Sequence, residues 1–467
     1  MRLFETYHSV YFIGIGGIGM SALARFFNTT GHSVAGYDRV ESRITRALTS
    51  EGIKVTLDER VEAIPDEFKN PTGTLVVYTP AVPEYHPQLQ WFQNDGFEVL
   101  KRSKVLGMIT EDMYSVCVAG THGKTTISTL TAFLLYHSHV GVNAFLGGIA
   151  KNFDTNFLGN IESPVVVVEA DEFDRSFWQL SPSIGLISSM DADHLDVYGT
   201  AAEMRKGFAG FANRIKPGGK LLVKSGLPLP KDIDTGVKMF SYSIAGESDF
   251  AAVNVQEYNG FYCFDLRTPD GLFKGFKMGI PGMVNVENAV AALSLAMMCG
   301  ARYEELVKAL PQFKGIARRF EVFINDDRLV YIDDYAHHPQ EIRATLNSVH
   351  SLWKGRKVTG VFQPHLYSRT RDFAGEFAKA LDEGLDHIVL LPIYPAREEP
   401  IPDISSETIA HFIKGDKCRV MQKEELIPFL NHLQPEVLIT MGAGDIDRLV
   451  PDICEWGHNY CKTKQRL

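Results

Sequence analysis

Residues 115–126 constrain the fold more than any other stretch of the chain. A short apolar run at 115–119 leads without a break into Gly120-Thr121-His122-Gly123-Lys124-Thr125-Thr126, and a helical pattern then continues to about Leu135. A buried strand that turns through glycine into a helix opens a βα unit. Such a unit needs parallel neighbours and cover on both faces of its sheet. Comparable apolar runs recur at 10–13, 34–37, 74–78, 97–100, 165–168, 184–188, 329–332, 358–362, 387–391 and 437–441. Helices are predicted near 20–27, 286–298, 339–353, 373–385, 406–412 and 424–432, and residues 240–278 read as strands and turns. The alternation predicts an α/β protein of mostly parallel sheets.

At roughly 100–200 residues per domain, 467 residues make two to four domains. Three βα cycles set the expected boundaries: a Rossmann-like domain at 1–103, a central ATPase-like domain with a phosphate loop at 104–313, and a Rossmann-like, doubly wound domain at 314–467. Apolar residues at 45% and charged residues at 22% are ordinary globular values and give no sign of extended disorder. A net charge of −10 argues against nucleic acid or an anionic membrane as partner, yet leaves room for small anionic substrates in a local positive pocket. The six cysteines contain no CxxC pair, which predicts free thiols in a reducing compartment, the cytoplasm. The first residues read as a core strand and not as a targeting peptide, and no apolar run reaches the length of a membrane span.

The segment 120–126 has the makings of a phosphate loop. Glycine lets the backbone curl until its N–H groups face phosphate oxygens. Lys124 can reach the outer phosphates and Thr125 can place its hydroxyl on magnesium. Gly120, Thr121, His122, Gly123, Lys124, Thr125 and Thr126 are therefore candidate triphosphate-binding residues. Val118 stands where the usual consensus has its first glycine, and the alternative is a glycine turn with an incidental lysine. Lys124 is expected to point at ligand and to contribute little to a core.

Val165-Val166-Val167-Val168-Glu169-Ala170-Asp171-Glu172 ends a second apolar strand in acids. Glu169 suits a metal ligand or a water orienter. Asp171 and Glu172 suit the same site, or a cap on the next segment. Met190-Asp191-Ala192-Asp193-His194-Leu195-Asp196 places His194 in an acid-rich loop after a third strand, where the acids can fix its ring, or where it is simply a surface histidine.

Gly14, Gly16, Gly17 and Gly19 form a dinucleotide-type fingerprint, and Asp38 follows Gly19 by 19 residues at the end of the next strand. A nicotinamide cofactor is the default reading. The physics asks only for a diphosphate joined to a ribose, which a UDP-sugar also provides. An oxidoreductase would leave Lys124 and Glu169 idle. The last third carries Asp333-Asp334-Tyr335-Ala336-His337-His338-Pro339 and Gln363-Pro364-His365-Leu366-Tyr367-Ser368-Arg369 after strands, with Arg318 and Arg319 upstream. Such basic groups suit carboxylate or phosphate, or each cluster is a solvated loop.

Ten segments in order carry a resemblance: GIGGIGMSALA (14–24), GTHGKTT (120–126), VEADEFDRSF (168–177), DADHLD (191–196), NVENAVAAL (285–293), FKGIARRFE (313–321), DDYAHHP (333–339), FQPHLYSRTRDF (362–373), YPAREEPI (394–401) and TMGAGDI (440–446). Over essentially its whole length the chain resembles the Mur ligases of bacterial peptidoglycan synthesis. The resemblance implies an N-terminal domain for the UDP end of a sugar nucleotide, a central ATP domain, and a C-terminal domain that brings the amino acid. It implies ATP-dependent ligation of L-alanine to the lactyl carboxylate of UDP-N-acetylmuramate, with magnesium, or manganese in its place. A monomer or weak homodimer is the implied state. Lys124 would serve phosphate transfer, while Thr125, Glu169 and His194 would serve the metal. Asn285 and Asn288 match the adenine-side asparagines. Arg319 would stabilise the transferred phosphate and Asp334 would bind the ATP ribose. His337, His365 and Arg369 would face alanine, and Gly14, Gly16, Gly17, Gly19 and Asp38 the UDP-sugar. The chain departs from the family's common pattern at Val284 (histidine), Leu366 (arginine), and Ala336 and Asp403 (glycine).

Overall fold

The computed structural model describes residues 6–462 apart from 192–197, 199, 230–232, 234–235, 259 and 397. It is a three-domain α/β chain with one sheet per domain.

The first sheet has five parallel strands in the order β3-β2-β1-β4-β5, formed by β1 (Ser9–Ile13), β2 (Ser33–Tyr37), β3 (Lys54–Thr56), β4 (Thr74–Tyr78) and β5 (Glu98–Lys101). All five residues of β1 are buried, as a central strand requires. Helices α1 (Ile18–Thr29), α2 (Arg43–Ser50) and α3 (Pro87–Asn94) lie between the strands in sequence. The strand order reverses on the two sides of β1, so the crevice at the strand C-termini opens where the glycine turn leaves β1. The sequence gives little sign of β3, because a three-residue edge strand with no fully buried position carries no apolar run.

Helix α4 (Arg102–Asp112) leads to the second sheet. Its strands are β6 (Tyr114–Ala119), β7 (Asn143–Ala150), β8 (Thr155–Leu158), β9 (Val165–Glu169), β10 (Ile184–Ile187), β11 (Lys220–Lys224), β12 (Lys238–Ser243), β13 (Phe250–Tyr258), β14 (Phe261–Thr268) and β15 (Gly271–Lys277). They lie in the order β15-β14-β13-β12-β11-β10-β6-β9-β7-β8. Strand β6 is central, with Val118 level with Glu169 of β9 and Ala119 level with Ile187 of β10. Helix α5 (Lys124–Tyr136) follows it.

The third sheet runs β16-β17-β21-β18-β19-β20: β16 (Glu321–Asn325) is antiparallel to β17 (Val330–Asp334), and β18 (Val358–Phe362), β19 (His387–Leu390), β20 (Cys418–Val420) and β21 (Val437–Met441) are parallel to it. Asp334, Met441 and Phe362 are level with one another, so the polar segments after these strands leave one edge together. The helix Tyr367–Gly384 begins six residues before the expected 373, which puts Tyr367, Ser368 and Arg369 in its first turn and not in a loop.

The chain divides into two compact units. One comprises 1–256, 262–280 and 285–314 and carries the first sheet and nearly all of the second; the other comprises 257–261, 281–284 and 315–467. Inside the first unit, α1 packs on the second sheet. The Phe26 ring centroid lies 5.3 Å from that of Phe145 on β7 and 6.1 Å from that of Phe157 on β8. Beside them the buried Arg25 takes both carboxylate oxygens of Glu51 at 2.8 Å and donates to Asn156 of β8. All six cysteines are unpaired. Among the described residues, no helix is long and apolar enough to cross a membrane.

Candidate functional site

The segment 120–126 forms a glycine turn between β6 and α5, as the sequence predicts. Gly120 and Gly123 take φ of +137° and +83°, conformations that favour glycine. Space matters as much: a Cβ on Gly120 would overlap Ser188 Oγ, and one on Gly123 would lie 3.1 Å from Asn288 Oδ1. Two serines after β10 brace the turn from below. Ser189 Oγ accepts the His122 amide at 2.7 Å and the Thr121 hydroxyl at 2.9 Å, and Ser188 Oγ donates to the carbonyls of Ala119 and His122. His122 Nε2 stands 3.5 Å from Asp191 Oδ2, and Asp191 N donates to Thr121 Oγ1 at 3.1 Å. The sequence reading missed both serines, since serine after a strand carries no distinctive spacing.

Lys124, the first residue of α5, is not a bare pointer at ligand. Its Nζ donates to Gly120 O at 2.7 Å and to Glu172 Oε1 at 2.8 Å, and Glu172 is buried. Burial pulls the lysine pKa down, but Glu172, Glu169 and Asp171 more than offset it, so the ammonium is held above the ordinary lysine range. The two acids after β9 thus divide the roles left open above. Glu172 pairs with Lys124, and Asp171 Oδ1 caps the following turn by accepting the Phe173 amide at 3.0 Å. Thr125 Oγ1 donates to Glu169 Oε1 at 3.2 Å. Glu169 is seated over Gly147 of β7, where any Cβ would overlap its carboxylate. A hydroxyl and a carboxylate side by side are hard oxygen donors of the kind magnesium takes, and that ion keeps further positions for water and phosphate. His194 lies outside the described residues. Asn288 Nδ2 donates to Asn285 Oδ1 at 3.3 Å, so the two asparagines stand together beside the loop.

In the first domain, Gly14 takes φ of +87° and its amide donates to Tyr37 O at 2.8 Å. Asp38 turns back onto the loop: Oδ2 accepts the Gly16 amide at 2.7 Å, and Oδ1 accepts that of Val40 at 3.3 Å. A Cβ on Gly16 would lie 2.8 Å from both Asp38 Oδ2 and Thr45 Cγ2. Gly17 is the N-cap of α1.

In the second unit, the C-terminal edge of the third sheet gathers Arg318, Arg319, Asp333, Asp334, Tyr335, His337 and His365. The two adjacent arginines differ in kind. Arg318 is tied down: its guanidinium donates to Asp333 Oδ2 at 3.3 Å and to the carbonyls of Gly444 at 3.2 Å and Gly442 at 2.6 Å. Both guanidinium carbons lie over the Tyr335 ring, at 5.1 Å from its centroid for Arg318 and 4.9 Å for Arg319. Arg318 and Phe320, on either side of Arg319, take φ of +62° and +50°, which is strained backbone for side chains of that size. Asp333 is fully buried and accepts the Thr440 hydroxyl at 2.6 Å, so it belongs to the sheet edge itself. Asp334 accepts the amides of Phe320 and Ala336, each at 2.7 Å. Burial pushes its pKa up to about 6 although Arg319 and the two amides pull it down. His337 Nδ1 stands 2.9 Å from Tyr335 O, and the His337 and His365 ring centroids lie 6.0 Å apart. His365 stacks on Tyr394 at 5.8 Å, and Arg369 is buried in the first turn of the helix Tyr367–Gly384. Leu366 takes φ of +71° and Asp403 φ of +62°, whereas Ala336 has no positive φ. Aspartate at 403 thus still occupies a left-handed position, which its short polar side chain tolerates.

Three family models match in chain order: the Mur ligase family catalytic domain at 9–114, the Mur ligase middle domain at 118–296, and the Mur ligase glutamate ligase domain at 318–444. A UDP-N-acetylmuramate–L-alanine ligase of Phocaeicola vulgatus is 49% identical over 451 residues, 96% of this chain and 98% of its own length. The crystal structure of the UDP-N-acetylmuramate-alanine ligase of Thermotoga maritima superposes with a TM-score of 0.77 at 25% identity, covering 98% of this chain and 100% of that one. A murein peptide ligase from Psychrobacter arcticus shares the fold with a TM-score of 0.70 at 20% identity, covering 96% and 98%.

Proposed function

This chain belongs to the Mur ligase family, and from that premise we propose how its residues divide the reaction. The chain is an ATP-dependent, ADP-forming ligase that joins L-alanine to the lactyl carboxylate of UDP-N-acetylmuramate in peptidoglycan precursor synthesis. The carboxylate takes the γ-phosphoryl group of ATP, giving an acyl phosphate and ADP. The alanine amine then attacks the acyl carbon, and the tetrahedral intermediate expels phosphate to leave the amide.

One observation carries this reading. Lys124 is held as an ammonium at the head of α5 beside the Thr125–Glu169 pair. A fixed ammonium there stabilises the charge that gathers on the phosphoryl oxygens during transfer, at no cost of reorganisation. Gly120, Thr121, His122, Gly123 and Thr126 complete the phosphate cradle. Thr125 and Glu169 would hold magnesium, with His194 as a further ligand; the ion would neutralise phosphate charge. Asn285 and Asn288 would take adenine and Asp334 the ATP ribose. Arg319 would steady the transferred phosphate. His337, His365 and Arg369 would hold alanine. Gly14, Gly16, Gly17, Gly19 and Asp38 would take the UDP end. We assign these tasks to domains at 1–103, 104–313 and 314–467, place the reaction in the cytoplasm, and read the chain as a monomer or weak homodimer.

The test is ADP release from ATP and UDP-N-acetylmuramate across a panel of amino acids and the cell-wall tripeptide, with products identified by mass. Alanine-dependent release with the mass of the alanyl product is expected. Release with the tripeptide alone would move the chain to the murein peptide ligases, and no release with any acceptor would overturn the ligase reading.

A further inference from the structure

The diphosphate of a sugar nucleotide carries one negative charge on each phosphate, and the loop assigned to it is poor in positive charge. Residues 14–19 read GIGGIG and contain no basic side chain. The one charged residue assigned beside them, Asp38, is a carboxylate that already occupies the Gly16 amide at 2.7 Å. The N-terminus of α1 offers only about half an elementary charge. The charge balance calls for a cation at the first turn of α1.

Arg102 stands there. It is the first residue of α4, and its side chain lies against Gly19, the second residue of α1. A Cβ on Gly19 would come within 2.5 Å of Arg102 Nη1 and 3.2 Å of its Cδ and Cζ. In a dinucleotide fingerprint the third glycine ordinarily lets a helix approach a strand. Here its missing side chain makes room for a guanidinium. Among the described residues Arg102 has one ion pair, with Asp171 Oδ2 at 3.9 Å, and its side chain is 25% exposed. A single long pairing leaves most of its five forked donors available, and that fork matches phosphate oxygens.

We infer that Arg102 is the cation that receives the diphosphate of the nucleotide substrate at the first turn of α1. The inference rests on the reading that the glycine loop binds the UDP end.

Calorimetric titration of the full chain with UDP and with uridine tests it, with an ATP analogue as the check on the rest of the fold. Arg102→Gln should weaken UDP by about 10- to 100-fold while leaving uridine and the ATP analogue unchanged. Arg102→Lys should fall between, because it keeps the charge and loses the fork. Gly19→Ala, which pushes the guanidinium away, should weaken UDP in the wild-type background and add little in Arg102→Gln. Arg102→Lys carries the test if Arg102→Gln does not fold. UDP affinity within about twofold of wild type in Arg102→Gln, or equal losses for UDP and uridine, would overturn the role of Arg102 and leave the loop assignment standing. Failure of UDP to bind the wild-type chain would overturn both.

Discussion

Lys124 sits in two settings that ask different things of it. As the head of α5 it is proposed to face phosphate, and as the partner of buried Glu172 it is part of the fold. Removing one member of such a pair leaves an uncompensated charge, at a cost of about 3–5 kcal/mol. Lys124→Ala is therefore expected to lower kcat by about a hundredfold or more and to lower Tm as well. Adding Glu172→Gln should restore Tm but not kcat. An unchanged Tm in Lys124→Ala would show that the ion pair contributes nothing to the fold. Asp334 offers a second test at this scale. Its pKa is raised from 3.8 to about 6, so its ionised form is the one disfavoured by folding. Its contribution to stability falls as pH rises from 3.8 to about 6 and is constant above that. If the ionised carboxylate takes the ATP ribose, the KM for ATP should rise as pH drops through about 6. Arg319 lowers this pKa, so Arg319→Met should move that limb to higher pH. A KM for ATP that is flat from about pH 5 to about pH 8 counts against the assignment.

Elements, not single residues, place the metal-binding candidates. Strands β6 and β9 run in register, which puts Glu169 level with Val118 and within reach of the first turn of α5. Strand β7 contributes only an absence, at Gly147, and that absence seats the carboxylate. Gly147→Ala should leave the sheet intact and displace Glu169 from Thr125. The expected outcome is roughly a tenfold rise in the magnesium concentration for half-maximal activity, with Tm little changed. Wild-type magnesium dependence in a folded Gly147→Ala variant would argue that Glu169 is not a metal group. The third sheet works in the same way. Asp334, Met441 and Phe362 are level, so the segments that follow them bring His337, His365 and the glycines at 442 and 444 to one edge. The helix Tyr367–Gly384 was legible in its middle but not at its start, since Leu366 precedes it at φ of +71° and no sequence rule places such a residue at a helix entry.

At the scale of the molecule, two compact units need not unfold together. Calorimetry should give a calorimetric enthalpy larger than the van't Hoff enthalpy. Saturating UDP should raise only the transition of the unit that carries the glycine loop, by about 2.7 kcal/mol of stability at a free concentration near 100 times Kd. A single two-state transition, or one that UDP does not move, would contradict this picture. The shared packing of Phe26 with Phe145 and Phe157 explains why the first two sheets behave as one unit although their motifs read as separate βα cycles.

Chain order and local spacing are properties of the sequence, and what depends on them was readable there. The apolar runs located most parallel strands, glycine and lysine after β6 marked the strand-to-helix turn of the candidate phosphate loop, and ten ordered motifs carried the family. Short edge strands such as β3 and the serines under the loop had no such signature. Partnership across the fold depends on distance in space, which spacing along the chain does not encode. Only the tertiary structure decided that Glu172 and not Asp171 holds Lys124, that of two arginines lying over Tyr335 Arg318 is the one tied to Gly442 and Gly444, and that Gly19 leaves its space to Arg102. Adjacent residues of the same type are equivalent in a sequence, and they become different only when the backbone aims them at different partners.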